Sequence, residues 1–144
     1  MKYLLPLIFL LLAACQSGES APTANTPPLP TSLPADFISF YEQFHADSAY
    51  QMAHIQWPLP GIPSNDSLRV PGFTFQTESW KLHRQFDPET SGYTSSFQPL
   101  TEDMIIERIS DDQNRYGLER RWLRNSQSDE WELIYYQQPM PLGN

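Results

Sequence analysis

The chain has a single cysteine, Cys15, among its 144 residues. One thiol excludes an internal disulfide, a Cys₂His₂-type zinc site and paired-cysteine redox chemistry. Glycines number six and do not cluster into a phosphate-cradling loop. Basic residues are scarce, 9 Lys and Arg against 17 Asp and Glu, for a formal net charge of −8. Residues 1–14 contain Lys2 and no acid, so without them the balance is 8 basic against 17 acidic residues, net −9. So acidic a chain offers no positive patch for nucleic-acid phosphates. Charge alone does not draw it to anionic lipid head groups either. The serine-nucleophile patterns GxSxG and SxxK are missing. Three histidines occur, His45, His54 and His83, without HExxH or HxH spacing. His45 and His54 stand nine apart and would lie on opposite sides of one helix. No metal and no cofactor is expected.

What is present begins with MKYLLPLIFLLLAAC. Lys2 supplies a positive start, and Tyr3 to Cys15 is an apolar run of 13 residues. A bilayer-spanning helix needs about 20 residues, so the run matches a signal-peptide core instead. Leu12-Ala13-Ala14-Cys15 resembles the lipobox of bacterial lipoproteins. That resemblance implies cleavage before Cys15 and attachment of lipid to its thiol and to the new amino terminus. One acyl chain anchors weakly and reversibly, whereas several hold firmly. Gln16 follows the cysteine, and by the family's sorting rule a non-Asp residue there implies the outer membrane, with the domain facing the periplasm.

Gln16 to Ala35 contains five prolines in 20 residues, with Ser, Thr and Asn filling most of the rest. Without apolar periodicity such a segment builds no core. It is expected to be a disordered tether reaching at most roughly 60 Å, at about 3.1 Å per residue. The expected organisation is a signal peptide at 1–14, lipidated Cys15 and tether at 15–33, one domain at 34–138, and a tail at 139–144.

From Leu33 the pattern changes. Phe37, Phe40, Tyr41 and Phe44 recur at i, i+3, i+4 and i+7, one face of a helix. Pro34 suits its first turn and Asp36 its positive end, placing a helix at 34–46. Asp47 reads as the N-cap of a second helix at 48–54. Pro58 and Pro60 argue against helix and central strand, so a short extended stretch at Ile55–Trp57 should give way to a loop through Ser67. Alternation at Phe73 and Phe75, and at Trp80, Leu82, Arg84 and Phe86, suggests two strands, with a third at Tyr93–Phe97. Met104–Ser110, Tyr116–Arg124 and Glu130–Gln138 read as an antiparallel meander between the turns DDQNR and NSQSD. The stretch TEDMIIERI also fits a capped helix, but its paired isoleucines favour strand. Glu107 facing Arg120, and Glu132 facing Arg121, would set the register.

Helices followed by a curved antiparallel sheet make an α+β fold. The stretch FYEQFHADSAYQMAHIQWPLPG, Phe40 to Gly61, resembles a family of uncharacterised Bacteroidetes lipoproteins. The carrying residues are Phe44, Asp47, Tyr50-Gln51, Ile55 and Trp57-Pro58-Leu59. The resemblance implies a nuclear transport factor 2-like (cystatin-like) cone over about Pro34–Gln138, and it implies no catalytic residue.

The acid pairs Glu102-Asp103, Asp111-Asp112 and Asp129-Glu130 fall at turns, where solvation keeps a carboxyl ordinary. Asp47 reads as a cap and Asp66 as a turn residue, although isomerases of this fold use a carboxylate in an apolar cone. The aromatics remain: four Trp join thirteen Phe and Tyr between Phe37 and Tyr136. Trp122 shares strand parity with Arg120 and Arg124, a face suited to a ligand site or to packing under snorkelling arginines. The candidate pocket residues are Tyr41, Trp57, Trp80, Arg120, Trp122 and Tyr135. The expected partners are the lipid bilayer, through acylated Cys15, and a small apolar or acidic ligand or an envelope protein. The expected function is a non-catalytic binding module. An isomerase or hydratase using a cone carboxylate is the alternative.

Overall fold

The computed structural model describes residues 29–143. The expected signal peptide, Cys15 and all but the end of the expected tether lie outside the described residues. Among the described residues no helix is long and apolar enough to cross a membrane.

Two helices open the domain, α1 (Ala35–Ala46) and α2 (Ser48–Ala53). Phe37, Phe40, Tyr41 and Phe44 form the buried face of α1, as their spacing demands. The Asp47 side chain accepts from the Ala49 and Tyr50 N–H groups and caps α2. Packing starts ahead of Pro34, because Leu29 and Leu33 already lie against the core.

The strands are β1 (Leu59–Ile62), β2 (Thr74–Phe75), β3 (Tyr93–Thr101), β4 (Met104–Asp111), β5 (Tyr116–Arg124) and β6 (Trp131–Pro141), with a one-turn helix α3 (Pro88–Ser91) before β3. They form one six-stranded sheet in the order β2-β1-β6-β5-β4-β3. All neighbours are antiparallel except β1 and β6, so the sheet is mixed. The fold is α+β, helices packed on a sheet. Register shifts at Pro99/Thr101, Gly117/Glu119 and Arg121/Trp122 interrupt the long hairpins, the kind of irregularity that bends a sheet around its core.

Four expectations change. Pro60 sits inside a strand rather than a loop. Leu59 and Pro60 pair with β2 while Gly61 and Ile62 pair with β6, so the residue without an N–H is not asked to serve both neighbours. The alternating stretch Trp80–Phe86 forms no strand. Its partner is a side chain: Gln51, only 1% exposed, accepts from the His83 N–H and donates to the His83 carbonyl. Thus one amide stands in for a sheet neighbour. Glu132 pairs with Leu123, not Arg121, because the 125–130 turn closes the hairpin with Arg124 opposite Trp131 and so sets the register on this side of the irregularity. Strand β6 also runs on to Pro141, held by Gly117–Met140 and Tyr116–Pro141 pairing.

Trp122 is the centre of the core. Its ring lies 5.0 to 6.1 Å from those of Phe37, Phe40, Tyr41 and Phe44. Each of these contacts is edge-on, the favoured arrangement for ring quadrupoles.

Candidate functional site

One row of residues crosses the covered face of the sheet: Phe97 on β3, Glu107 on β4, Arg120 on β5, Tyr136 on β6 and Gly61 on β1. Glu107 and Arg120 are at most 1% exposed, and their ion pair is 3.3 Å long. The expected facing of these two is correct.

Glu107 is fully engaged. Its Oε1 accepts from the Tyr41 hydroxyl at 2.6 Å. Its Oε2 accepts from Arg120 Nη1 at 3.3 Å and from the Trp122 indole N–H at 3.2 Å. Three donors on one buried carboxylate offset the loss of hydration. Burial, with the Glu107 charge adding, pushes the Tyr41 hydroxyl well above its ordinary range. The phenol therefore stays a donor.

His45 completes this network. Its Nδ1 lies 2.8 Å from the Tyr41 carbonyl oxygen, an acceptor, so Nδ1 carries the proton. Its Nε2, 3.0 Å from Arg120 Nη1, then accepts. Burial and the Arg120 charge hold its pKa down to about 3, which keeps the ring neutral.

A second cluster lies at the end of the row. Trp80, His83 and Tyr136 pack ring against ring, with His83 centred 4.5 Å from Trp80 and 4.6 Å from Tyr136. With Phe75 they wall an open cleft of about 220 Å³ whose rim carries Ser79, Lys81 and Gln138. Gln51 positions this wall, because its Oε1 accepts from both the His83 backbone N–H and the Trp80 indole. Arg84 fixes the same segment by donating to the His45 and Ala46 carbonyls at the end of α1. Burial, then Arg120 and His45, push the His83 pKa down to about 2. His83 Nδ1 and Arg120 Nε are buried without a hydrogen-bond partner.

The six candidate pocket residues therefore fall into three groups. Tyr41, Arg120 and Trp122 lie in the packed interior around Glu107. Arg120 is buried in an ion pair rather than snorkelling to solvent, since Glu107 meets it inside. Trp57 and Trp80 stand together at the cleft end, 5.6 Å apart, with the Trp57 indole donating to Met52. Tyr135 alternates with buried Tyr136 on β6 and stacks under Arg121 at 4.3 Å. It belongs to the other side of the sheet.

Sequence reasoning passed over Gln51, His83 and Tyr136 as site residues. Glu107 carried a readable signal, since it shares strand parity with Ile105 and Ile109, both fully buried. Asp47 and Asp66 sit where expected, capping α2 and pairing with Arg69 in a turn, both facing water. Among the described residues no three His, Cys, Asp or Glu side chains gather as metal ligands.

No protein-family model matches the chain, and no curated protein matches it. Solved structures do. A cystatin-like protein from Bacteroides caccae is 20% identical, over 71% of this chain and 74% of that one, with a TM-score of 0.52. A nuclear transport factor 2-like protein from Bacteroides fragilis is 16% identical over 76% of this chain and 48% of that one, with a TM-score of 0.49. A protein from Bacteroides ovatus is 21% identical over 69% and 70%, with a TM-score of 0.48. At these identities the likeness is one of fold, and the fold agrees with the helices-on-sheet architecture expected from the sequence.

Proposed function

We propose that the chain is an envelope lipoprotein, anchored to the outer membrane through acylated Cys15, whose periplasmic domain is a non-catalytic binding module. The observation that carries the non-catalytic part is the condition of Glu107. A general base needs a free lone pair within reach of a substrate proton. Glu107 is 0% exposed, is engaged by Tyr41, Arg120 and Trp122, and is surrounded by packed aromatic rings. The space that a catalytic cone leaves for substrate is filled here by Trp122 and the aromatic face of α1. Two open surfaces lie near this network: a shallow one of about 170 Å³ beside Tyr41, Phe86 and Phe97, and the aromatic cleft at Trp80, His83 and Tyr136, whose walls are set in place before any ligand arrives.

The alternative, an isomerase or hydratase, has one observation in its favour: the Tyr41 hydroxyl 2.6 Å from a buried carboxylate. Assays of the purified chain on ketosteroid-type, hydratase, acyl and glycosyl substrates separate the readings. No turnover is expected. Turnover that Tyr41→Phe or Glu107→Gln abolishes would establish the enzyme instead.

The anchor rests on the apolar run and on Leu12-Ala13-Ala14-Cys15. A Cys15→Ser chain is expected to lose radiolabelled palmitate and leave the membrane fraction. Unchanged labelling and fractionation would remove the lipoprotein reading.

A further inference from the structure

We propose that the cleft walled by Trp80, His83 and Tyr136 binds a small aromatic carboxylate, a single ring bearing one acidic group. The inference rests on reading the domain as a binding module, and it names the ligand class.

The walls set the body of the ligand. Phe75, Trp80, His83 and Tyr136 all line this space, and an aromatic lining selects a flat, ring-bearing partner. The volume sets its size. About 220 Å³ exceeds the roughly 150 Å³ of a cavity that takes up benzene, leaving room for one added polar group.

The rim sets its charge. The chain has 17 acidic residues, yet none lines the cleft. Lys81 does line it, and it is the one lysine of the described residues. Six of the seven arginines pair with carboxylates, and Arg84 donates to backbone carbonyls. Among the described residues Lys81 alone has neither kind of partner. Gln138 adds a second donor. Its Oε1 accepts from the Ser64 N–H and hydroxyl, which leaves its NH₂ group to be satisfied at the rim. His83 adds a third. Its Nδ1 is buried with no acceptor, and a buried N–H without an acceptor is the costlier tautomer. The proton therefore sits on Nε2, the nitrogen left for the cleft. Burial, and then the Arg120 charge, keeps the ring from taking a second proton, so it donates as a neutral group. An ammonium and two N–H donors with no carboxylate among them complement a carboxylate.

The test is equilibrium dialysis of the full-length chain at pH 7 against benzoate, benzamide and acetate. Benzamide keeps the ring without the charge, and acetate keeps the charge without the ring. Benzoate is expected to bind with a Kd between about 10 µM and 1 mM, the range open to about nine heavy atoms. Benzamide and acetate should bind at least tenfold more weakly. Lys81→Gln should weaken benzoate about tenfold, as loss of a charged hydrogen bond implies, and Lys81→Glu should abolish binding. Ser79→Trp, which fills the rim, should block it. Lys81 and Ser79 are exposed, so these variants keep the fold.

Absence of benzoate binding, or a Kd that Lys81→Glu leaves unchanged, would overturn the assignment. Equal affinities for benzamide and benzoate, both lost in Ser79→Trp, would overturn the acid preference and leave the binding-module reading standing. Turnover in the assays described above would remove that reading without touching a benzoate site.

Discussion

Removing the charge of Glu107 would strand Arg120, a guanidinium only 1% exposed with no other carboxylate beside it. Breaking a buried pair from one side costs about 3–5 kcal/mol. Glu107→Gln is therefore expected to lower stability by that amount, read as the shift in urea midpoint. A loss under about 1 kcal/mol would mean the pair is not desolvated as described. Gly61 is a second sensitive position. A Cβ there would overlap the Tyr136 carbonyl oxygen and lie 2.6 Å from a Phe75 ring carbon. The oxygen belongs to the backbone of β6, which pairs with β1 at this residue and cannot retreat alone. Gly61→Ala should cost more than about 4 kcal/mol or leave the chain unfolded, as thermal unfolding monitored by circular dichroism would reveal.

At the scale of elements, the Trp80–Phe86 segment depends on one side chain from α2. Gln51 makes four hydrogen bonds, to the Phe44 and His83 carbonyls and from the His83 N–H and Trp80 indole. Gln51→Leu conserves volume and removes all four. The segment should loosen while the β3–β6 meander persists. Hydrogen exchange at the His83 amide and proteolysis within 80–87 should rise well before global unfolding. Equal protection of His83 in both proteins would show that packing alone holds the segment. The α2 cap gives a smaller effect: Asp47→Ala should cost about 1 kcal/mol in urea denaturation, since two backbone N–H groups lose their acceptor. This cap was readable in sequence, because an N-cap is a local event within three residues. The Gln51 latch was not, because its partners in this segment lie 29 and 32 residues away and any alternating stretch imitates a strand.

The whole molecule should weaken in acid through its interior. His45 and His83 titrate near 3 and 2 in the folded chain, held down by burial and then by Arg120. In the unfolded chain each returns to about 6.5. Below that pH the unfolded state binds more protons than the folded one, so stability is complete above about 6.5 and drains as pH falls toward 3. The slope approaches about 1.4 kcal/mol per pH unit for each histidine. Asp36 and Asp111, held below the usual carboxylate range, add loss only below about pH 4. Urea midpoints measured from pH 7 to pH 4 should fall steadily, and a His83→Asn variant should follow a shallower line. A flat profile down to pH 5 would mean that the two rings are solvated.

Whatever is periodic or local can be read from the order of residues. The four-residue aromatic stripe of α1, the cap at Asp47, the three meander strands and the facing of Glu107 and Arg120 were all readable, because side-chain direction repeats every 3.6 or 2 residues. Features without a local sign came from the packing of distant segments. It carried β1 through its prolines by dividing the pairing between two neighbours. It set Glu132 opposite Leu123 rather than Arg121 through the way the 125–130 turn closes its hairpin. It also sorted the aromatics. Trp122 and Trp80 look alike in sequence, yet one fills the core while the other walls the cleft. That difference comes from which surfaces the sheet and α1 close upon, a matter of contacts between residues far apart in the chain.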